Sequence, residues 1–125
     1  LGNTTGSHIA GAKTNPYGKL ERFPVRVEAV SAVLKGADLV KIDAEGHEKA
    51  ILLSTDSSHW KRTDAMIEVQ NEANAKAIFK YFKKMKINLF SQKTNWRLVK
   101  NERDLPNGYK EGSLFITAKA AMPWS

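Results

Sequence analysis

The stretch Val40–Glu48, VKIDAEGHE, decides the fold, because a short apolar run breaks there into carboxylates, a glycine and a histidine. The apolar residues Leu39, Val40 and Ile42 predict a short strand covered on both faces, since buried parallel strands are near-continuous apolar runs. Gly46 suits a tight turn from this strand into a helix. Asp43 and Glu45 then lie at the carboxyl end of the strand, where ligands bind in open α/β sheets.

Patterns on both sides of this stretch predict further elements. Apolar alternation over Phe23–Val30 predicts a half-exposed strand, and a short helical turn should follow over Ser31–Lys35. Downstream, the pattern predicts a helix containing residues 50–53, a buried strand at 65–69, a helix at 72–86 capped by Asn71 or Gln70, and strands at 87–90, 96–99 and 114–118. Two strands each followed by a helix favour right-handed βαβ crossovers and a parallel sheet, which would place Asp43, Glu45 and Glu68 at the same edge of the sheet.

Length and composition limit the class of protein. The chain has 125 residues, enough for one domain of modest core. It has no cysteine, which excludes disulfides and thiolate sites and fits a reducing compartment. Without a signal peptide pattern or a long apolar run, we expect a cytoplasmic protein with no membrane partner. Residues 1–22 are rich in polar residues and glycine, which predicts a loop or the remnant of an upstream chain before a domain at 23–125.

The chain is basic, with a formal net charge of +7 and a sequence pI near 9.7. Such a balance attracts anions. Much of the positive charge lies between Lys76 and Lys100, and the helical spacing there favours a solvated helix face over a binding surface. The three tryptophans are not interleaved regularly with the basic residues, so we do not expect nucleic acid as a partner.

The residues Lys41–Glu48, KIDAEGHE, followed by Ile51 and Leu52 and then by Met66–Val69, MIEV, resemble the KIDxEGxE … IxxE core of the FkbM family of S-adenosylmethionine-dependent methyltransferases. Two further segments, 4–8 and 112–116, resemble the family's segment before this core and its last strand. Ser54 stands where the family usually has a glycine. The family's glycine-rich cofactor loop is not found in these 125 residues.

The resemblance implies an α/β fold that is the C-terminal half of a Rossmann-like class I methyltransferase sheet, mostly parallel with an antiparallel last strand. It implies S-adenosyl-L-methionine as cofactor and a sugar or other hydroxylated small molecule as methyl acceptor. Because the loops that cradle the cofactor belong to the other half, we expect this chain alone to be inactive and to bind the cofactor weakly or not at all.

Methyl transfer requires in-line alignment and can be assisted by removal of the acceptor's proton. Asp43 is expected to orient cofactor or substrate, Glu45 or His47 to act as the base, and His8 and Glu68 to contact the substrate; no metal ligand is assigned. Structural roles compete with these. Glu45 and Glu48 are also typical acids of a first helical turn, where each stabilises the helix by about 0.3 to 1 kcal/mol, and His47 and His8 are typical surface residues.

Two other classes of function fit the same residues. In a metal-dependent nuclease or phosphoesterase, Asp43, Glu45 and Glu68 would hold a hard cation such as magnesium. In a non-catalytic binding module, the lysine-bearing helix would contact nucleic acid or protein, with a steep salt dependence. Bound manganese between the acids would favour the former class.

The half-domain interpretation also predicts an exposed edge. In the family's sheet the strand Leu39–Asp43 is central, so in this chain its outer edge would carry unpaired backbone groups, with only Lys41 to discourage further pairing. We expect Phe23–Val30 to fold back over it, a second copy to associate through it as a homodimer, or upstream chain to cover it.

Overall fold

The computed structural model describes residues 21–124. Their strands are β1 (Leu39–Ile42), β2 (Asp64–Glu68), β3 (Asn88–Ser91), β4 (Arg97–Leu98) and β5 (Ser113–Thr117). Their α-helices are α1 (Val30–Gly36), α2 (Glu48–Leu53) and α3 (Glu72–Met85), and four single-turn 3₁₀ helices begin at Ser57, Gln92, Glu102 and Tyr109.

The five strands form one mixed sheet in the order β1-β2-β5-β3-β4. Of the neighbouring pairs in this part of the chain, β1–β2 is parallel, and β2–β5, β5–β3 and β3–β4 are antiparallel. The sheet is therefore mixed rather than mostly parallel, because β4 as well as the last strand runs antiparallel to its neighbours. The prediction of an antiparallel last strand is confirmed, and β1, β2 and β3 all run in one direction.

The helices cover one face of the sheet. Alternation along β2 turns Ala65 and Ile67 toward this face, where Trp60, Ile78 and Phe82 are buried in the same cluster. Asn71 caps α3 by accepting a hydrogen bond from the Asn74 amide at 2.9 Å, as the sequence predicts. The apolar stripe of α3 is buried as its spacing requires: Ala75, Ile78, Phe79 and Phe82.

The other face carries a smaller apolar cluster. Phe90, Phe115 and Met122 are buried there, with Met66 and Trp96 packed against them. The rings of Phe115 and Trp124 meet edge to face, with centroids 4.7 Å apart. Among residues 21–124 no helix packs in this cluster, so the polar residues of the β1 and β2 ends remain accessible on this face.

Two expectations about the first strands are wrong. Residues 23–29 form no helix or strand; Phe23, Val25 and Val27 are exposed, because alternation supplies an apolar side but no hydrogen-bonded neighbour. Within the described chain β1 pairs with β2 alone, and Leu39 and Lys41 are exposed rather than covered on both faces. The predicted cover of this edge by Phe23–Val30 is thus absent, while its pairing with a second copy or with upstream chain stays a prediction.

Candidate functional site

The carboxyl ends of β1 and β2 bring two acids side by side. Ile42 is paired with Ile67, so the residues that follow in register are Asp43 and Glu68. Strand alternation places both on the face opposite the helices. Asp43 and Glu68 therefore share one edge of the sheet, as predicted from the parallel arrangement of the two strands.

A lysine lies between these two carboxylates. The Lys41 Nζ is 3.4 Å from Asp43 Oδ2 and 3.6 Å from Glu68 Oε1, and all three side chains are partly exposed. The hydrogen bond to Asp43, followed by the charges of Asp43 and Glu68, raises the pKa of Lys41 above its ordinary value. Lys41 thus remains a cation at neutral pH, and the stability that Lys41 gains from this pairing is lost as the pH rises through that raised pKa.

The chain leaves β1 through a four-residue turn, Ala44–His47, closed by a hydrogen bond from the His47 amide to the Ala44 carbonyl (3.1 Å). Its central residues both have positive φ, 50° at Glu45 and 100° at Gly46. Such turns favour Asn-Gly, because only glycine and short polar residues adopt this conformation readily. A glutamate at the first central position is held against its conformational preference, and such residues concentrate at functional sites.

The Gln70 side chain lies against Gly46. A Cβ at this position would lie 2.8 Å from the Gln70 Oε1 atom, so the Gln70 side chain packs directly on the turn. The predicted role of Gly46 in a tight strand-to-helix turn is confirmed.

The Glu48 side chain stabilises this turn through hydrogen bonds to its backbone. Its side chain is buried, at 3% exposure, and its carboxylate accepts hydrogen bonds from the amides of Ala44 (2.7 Å) and Gly46 (3.1 Å). A structural role for Glu48 is therefore supported, although its partners are the amides of the preceding loop rather than the helix end alone. The buried Glu48 carboxylate therefore fixes the turn that presents Glu45 through two hydrogen bonds to its backbone.

The acids line a cleft of about 420 Å³, which we call the acid cleft. Its lining residues are Asp43, Glu45, Glu48, Glu68, Gln70 and Tyr109. Tyr109 comes from the loop before β5, where the Glu111 carboxylate accepts a hydrogen bond from the Asn107 amide (2.6 Å). This bond, together with Lys93, lowers the pKa of Glu111, so Glu111 is ionised at neutral pH and fixes the loop that carries Tyr109.

The histidines are not part of this lining. The His47 side chain is exposed, and its Nδ1 lies 3.1 Å from the Ala44 carbonyl oxygen at the start of α2. His8 lies outside the described residues. His59 has a structural role, because its Nδ1 accepts a hydrogen bond from the Asp56 amide (3.1 Å) beside the buried Trp60.

Sequence reasoning missed three residues of this region. Lys41 could have been found, since it lies two positions before Asp43 and so faces the same side of a strand. Gln70 was assigned only as a helix cap. Tyr109 is brought to the cleft by the loop before β5, and no local pattern marks it.

The geometry does not favour a metal site at the acids. Among residues 21–124 no three histidine, cysteine, aspartate or glutamate side chains are grouped so that they could hold a metal ion. The Lys41 ammonium lies between Asp43 and Glu68, where a bound cation would have to be. In the same range no helix is both long and apolar enough to cross a membrane.

Comparison with known proteins found no match among family models, curated proteins or solved structures. The resemblance to FkbM methyltransferases is therefore carried by the motif residues themselves.

Proposed function

We propose that this chain is the C-terminal half of an FkbM-like, S-adenosylmethionine-dependent methyltransferase domain with a Rossmann-like sheet. The acceptor would be a hydroxyl group of a sugar or another small molecule. The observation that carries the proposal is the acid cleft, in which the KIDAEGHE turn presents Asp43 and Glu45 beside Glu68 at the carboxyl edge of the sheet.

The arrangement of the strands supports the same proposal. The resemblance implies that the last strand lies antiparallel beside the parallel strands, and β5 lies antiparallel between β2 and β3. It also implies that β1 has β2 as one neighbour and a strand of the other half as the second. The free edge of β1 in residues 21–124 is compatible with this.

The charges of the cleft suit the chemistry. A sulfonium methyl donor is a cation, and three of the carboxylates that line the acid cleft, those of Asp43, Glu45 and Glu68, are at least partly exposed. Asp43 and Glu68 share Lys41 as their nearby cation. Asp43 would orient the donor or acceptor. Glu45, exposed at the turn, would accept the proton of the acceptor hydroxyl, and its fixed backbone would align it without reorganisation during the reaction.

The cofactor fits these residues only in part. Asp43 is the cofactor-binding residue that the resemblance assigns in this chain, and the glycine-rich loop that would hold the rest is not among the 125 residues. S-adenosylmethionine would supply the transferable methyl group. The chain's own contribution is confined to orientation by Asp43 and Glu68 and proton removal by Glu45, with His47 as the other candidate base.

The experiment is methyl transfer from radiolabelled S-adenosylmethionine to a panel of sugars and hydroxylated metabolites, using the natural chain with whatever residues precede Leu1. We expect Glu45→Asn to lower kcat by about 10²-fold or more, the usual contribution of a positioned general base. Asp43→Asn should also lower kcat, because it removes a charge that orients the reactants. Asparagine is the better residue for this turn, so Glu45→Asn should remain folded, and lost activity would then report lost chemistry.

Lys49→Gln is the matched control, because Lys49 is an exposed neighbour in α2 that does not line the acid cleft. Full activity of both acid variants would contradict the proposal. So would an upstream sequence without a strand and a glycine-rich turn. For the isolated 125-residue chain, calorimetry should show weak or no binding of S-adenosylmethionine, and micromolar affinity would contradict the half-domain assignment.

A further inference from the structure

A second cleft lies at the opposite edge of the sheet. It has a volume of about 200 Å³ and lies where α3 ends, β3 begins and β4 ends. Because β3 runs in the same direction as β1 and β2, its first residue, Asn88, lies at the edge away from Asp43 and Glu68. The ammonium-bearing residues of its lining are Lys83, Lys86 and Lys100, and we call it the lysine cleft.

Three segments supply these lysines. Lys83 is in the last turn of α3, Lys86 caps the helix in a left-handed conformation (φ 58°), and Lys100 follows β4. A helix C-terminus attracts cations, which accounts for lysines on α3 itself. It does not account for Lys100, which the β3–β4 pairing brings to the same cleft.

The acids close to these lysines in the fold are already engaged. Glu102 pairs with Lys76 (3.3 Å) and Lys80 (3.9 Å). Asp104 accepts hydrogen bonds from the backbone amides of residues 100 and 101. Within residues 21–124, none of the three cleft lysines forms an ion pair with a carboxylate. Within the described residues the positive charge of the lysine cleft is therefore not neutralised by a direct ion pair.

The cleft also has an apolar floor. Phe79, Val99 and the partly exposed Leu98, at 38% exposure, line it. The Lys83 Nζ lies 5.5 Å from the centroid of the Phe79 ring, within range of a cation–π interaction. Ligand clefts combine such an apolar lining with a few polar groups that fix orientation. The small volume suits a compact group rather than a polymer or a drug-sized molecule.

We propose that the lysine cleft binds a small phosphate monoester, with the phosphate held by Lys83, Lys86 and Lys100 and an apolar substituent resting on Phe79, Leu98 and Val99. Lysine ammonium groups bind phosphate as point charges, and three of them more than balance the charge of about −2 that a phosphate monoester carries at neutral pH. This site is distinct from the acid cleft, and the inference does not depend on methyl transfer.

The test is titration of the protein with phenyl phosphate, followed through the backbone amide resonances of residues around the cleft by NMR. We expect saturable shifts centred on residues 83–89 and 98–100. Inorganic phosphate should shift the same amide resonances but bind about tenfold more weakly, because it lacks the apolar contact. A tenfold difference in Kd corresponds to about 1.4 kcal/mol of binding free energy. Phenol should bind more weakly still, because it lacks the anion.

Two variants separate the charged and apolar parts of the site. The triple variant Lys83→Gln, Lys86→Gln, Lys100→Gln should weaken phenyl phosphate binding about tenfold or more. Lys35→Gln, Lys49→Gln, Lys61→Gln removes the same charge from exposed positions outside the cleft, and should weaken binding less than about twofold. Leu98→Asn should weaken phenyl phosphate binding and spare inorganic phosphate.

Three results would overturn the inference. Equal weakening by both triple variants would mean a general effect of net charge. Shifts spread over all lysines would mean that no site exists. Binding of single-stranded nucleic acid or of anionic vesicles that needs the three lysines, without binding of phenyl phosphate, would assign the surface to a macromolecule instead.

Discussion

The acid cleft and the lysine cleft lie at opposite edges of one sheet and are built differently. In the acid cleft the buried Glu48 carboxylate bonds to the backbone of the turn that presents Glu45. In the lysine cleft the three ammonium groups are held by no described carboxylate. Both clefts nevertheless place a charged residue in the left-handed region, Glu45 at one edge and Lys86 at the other. The difference predicts that mutations at the acid edge cost more stability than mutations at the lysine edge.

The largest effect is expected at Glu48. Glu48→Ala leaves the amides of Ala44 and Gly46 without their acceptor, at about 1 to 3 kcal/mol for each group that stays buried. Urea unfolding monitored by circular dichroism measures this loss. Lys83→Ala is the matched truncation at the other edge and should change the free energy of unfolding by less than about 0.5 kcal/mol. Equal losses in the two variants would remove the distinction between the clefts.

A smaller loss is expected for Gly46→Ala, about 1 to 2 kcal/mol, because alanine is strained at a φ of 100°. The contact with Gln70 adds little, since a flexible side chain can move away. Gly36→Ala is the control: nothing lies within 4 Å of the added Cβ, and alanine there should be neutral or stabilising by up to about 1 kcal/mol. Thermal unfolding of both variants shows whether the stability loss comes from the backbone conformation at Gly46 or from replacement of any glycine by alanine.

The smallest effect, and one of opposite sign, is expected at Lys86. Glycine is the preferred residue for a left-handed helix cap, so Lys86→Gly should stabilise the chain by about 0.5 to 1 kcal/mol. It should also weaken phenyl phosphate binding. A stabilised variant with unchanged binding would show that Lys86 is tolerated at the cap without contributing to the lysine cleft.

The local parts of the acid edge were predictable. The KIDAEGHE turn, the cap of α3 by Asn71 and the apolar stripe of α3 depend on neighbours a few residues away, so their patterns are visible in the sequence. The shared edge of Asp43 and Glu68 followed from one further assumption, that two consecutive strands with a helix between them are parallel.

The wrong predictions concern strand pairing and burial, which depend on partners distant in the sequence. Phe23–Val30 has the alternation of a strand and forms none, because no described strand pairs with it. The apolar residues Leu39, Val40 and Ile42 predicted burial on both faces, whereas Leu39 and Lys41 are exposed on the face opposite the helices. An apolar pattern predicts that a surface is buried, but it does not identify the segment that packs against that surface.

The sequence by itself therefore determined the turn after β1 and the identity of the acids at its end, whereas the direction of the last strand was implied by the family resemblance. Tertiary structure alone decided that Lys41 lies between Asp43 and Glu68, that Tyr109 reaches the acid cleft, and that Lys100 joins Lys83 and Lys86. The physical reason is the range of the interactions. Backbone conformation and helical periodicity are set within a few residues, whereas the pairing of β5 and β4 with the earlier strands joins segments that no local pattern relates.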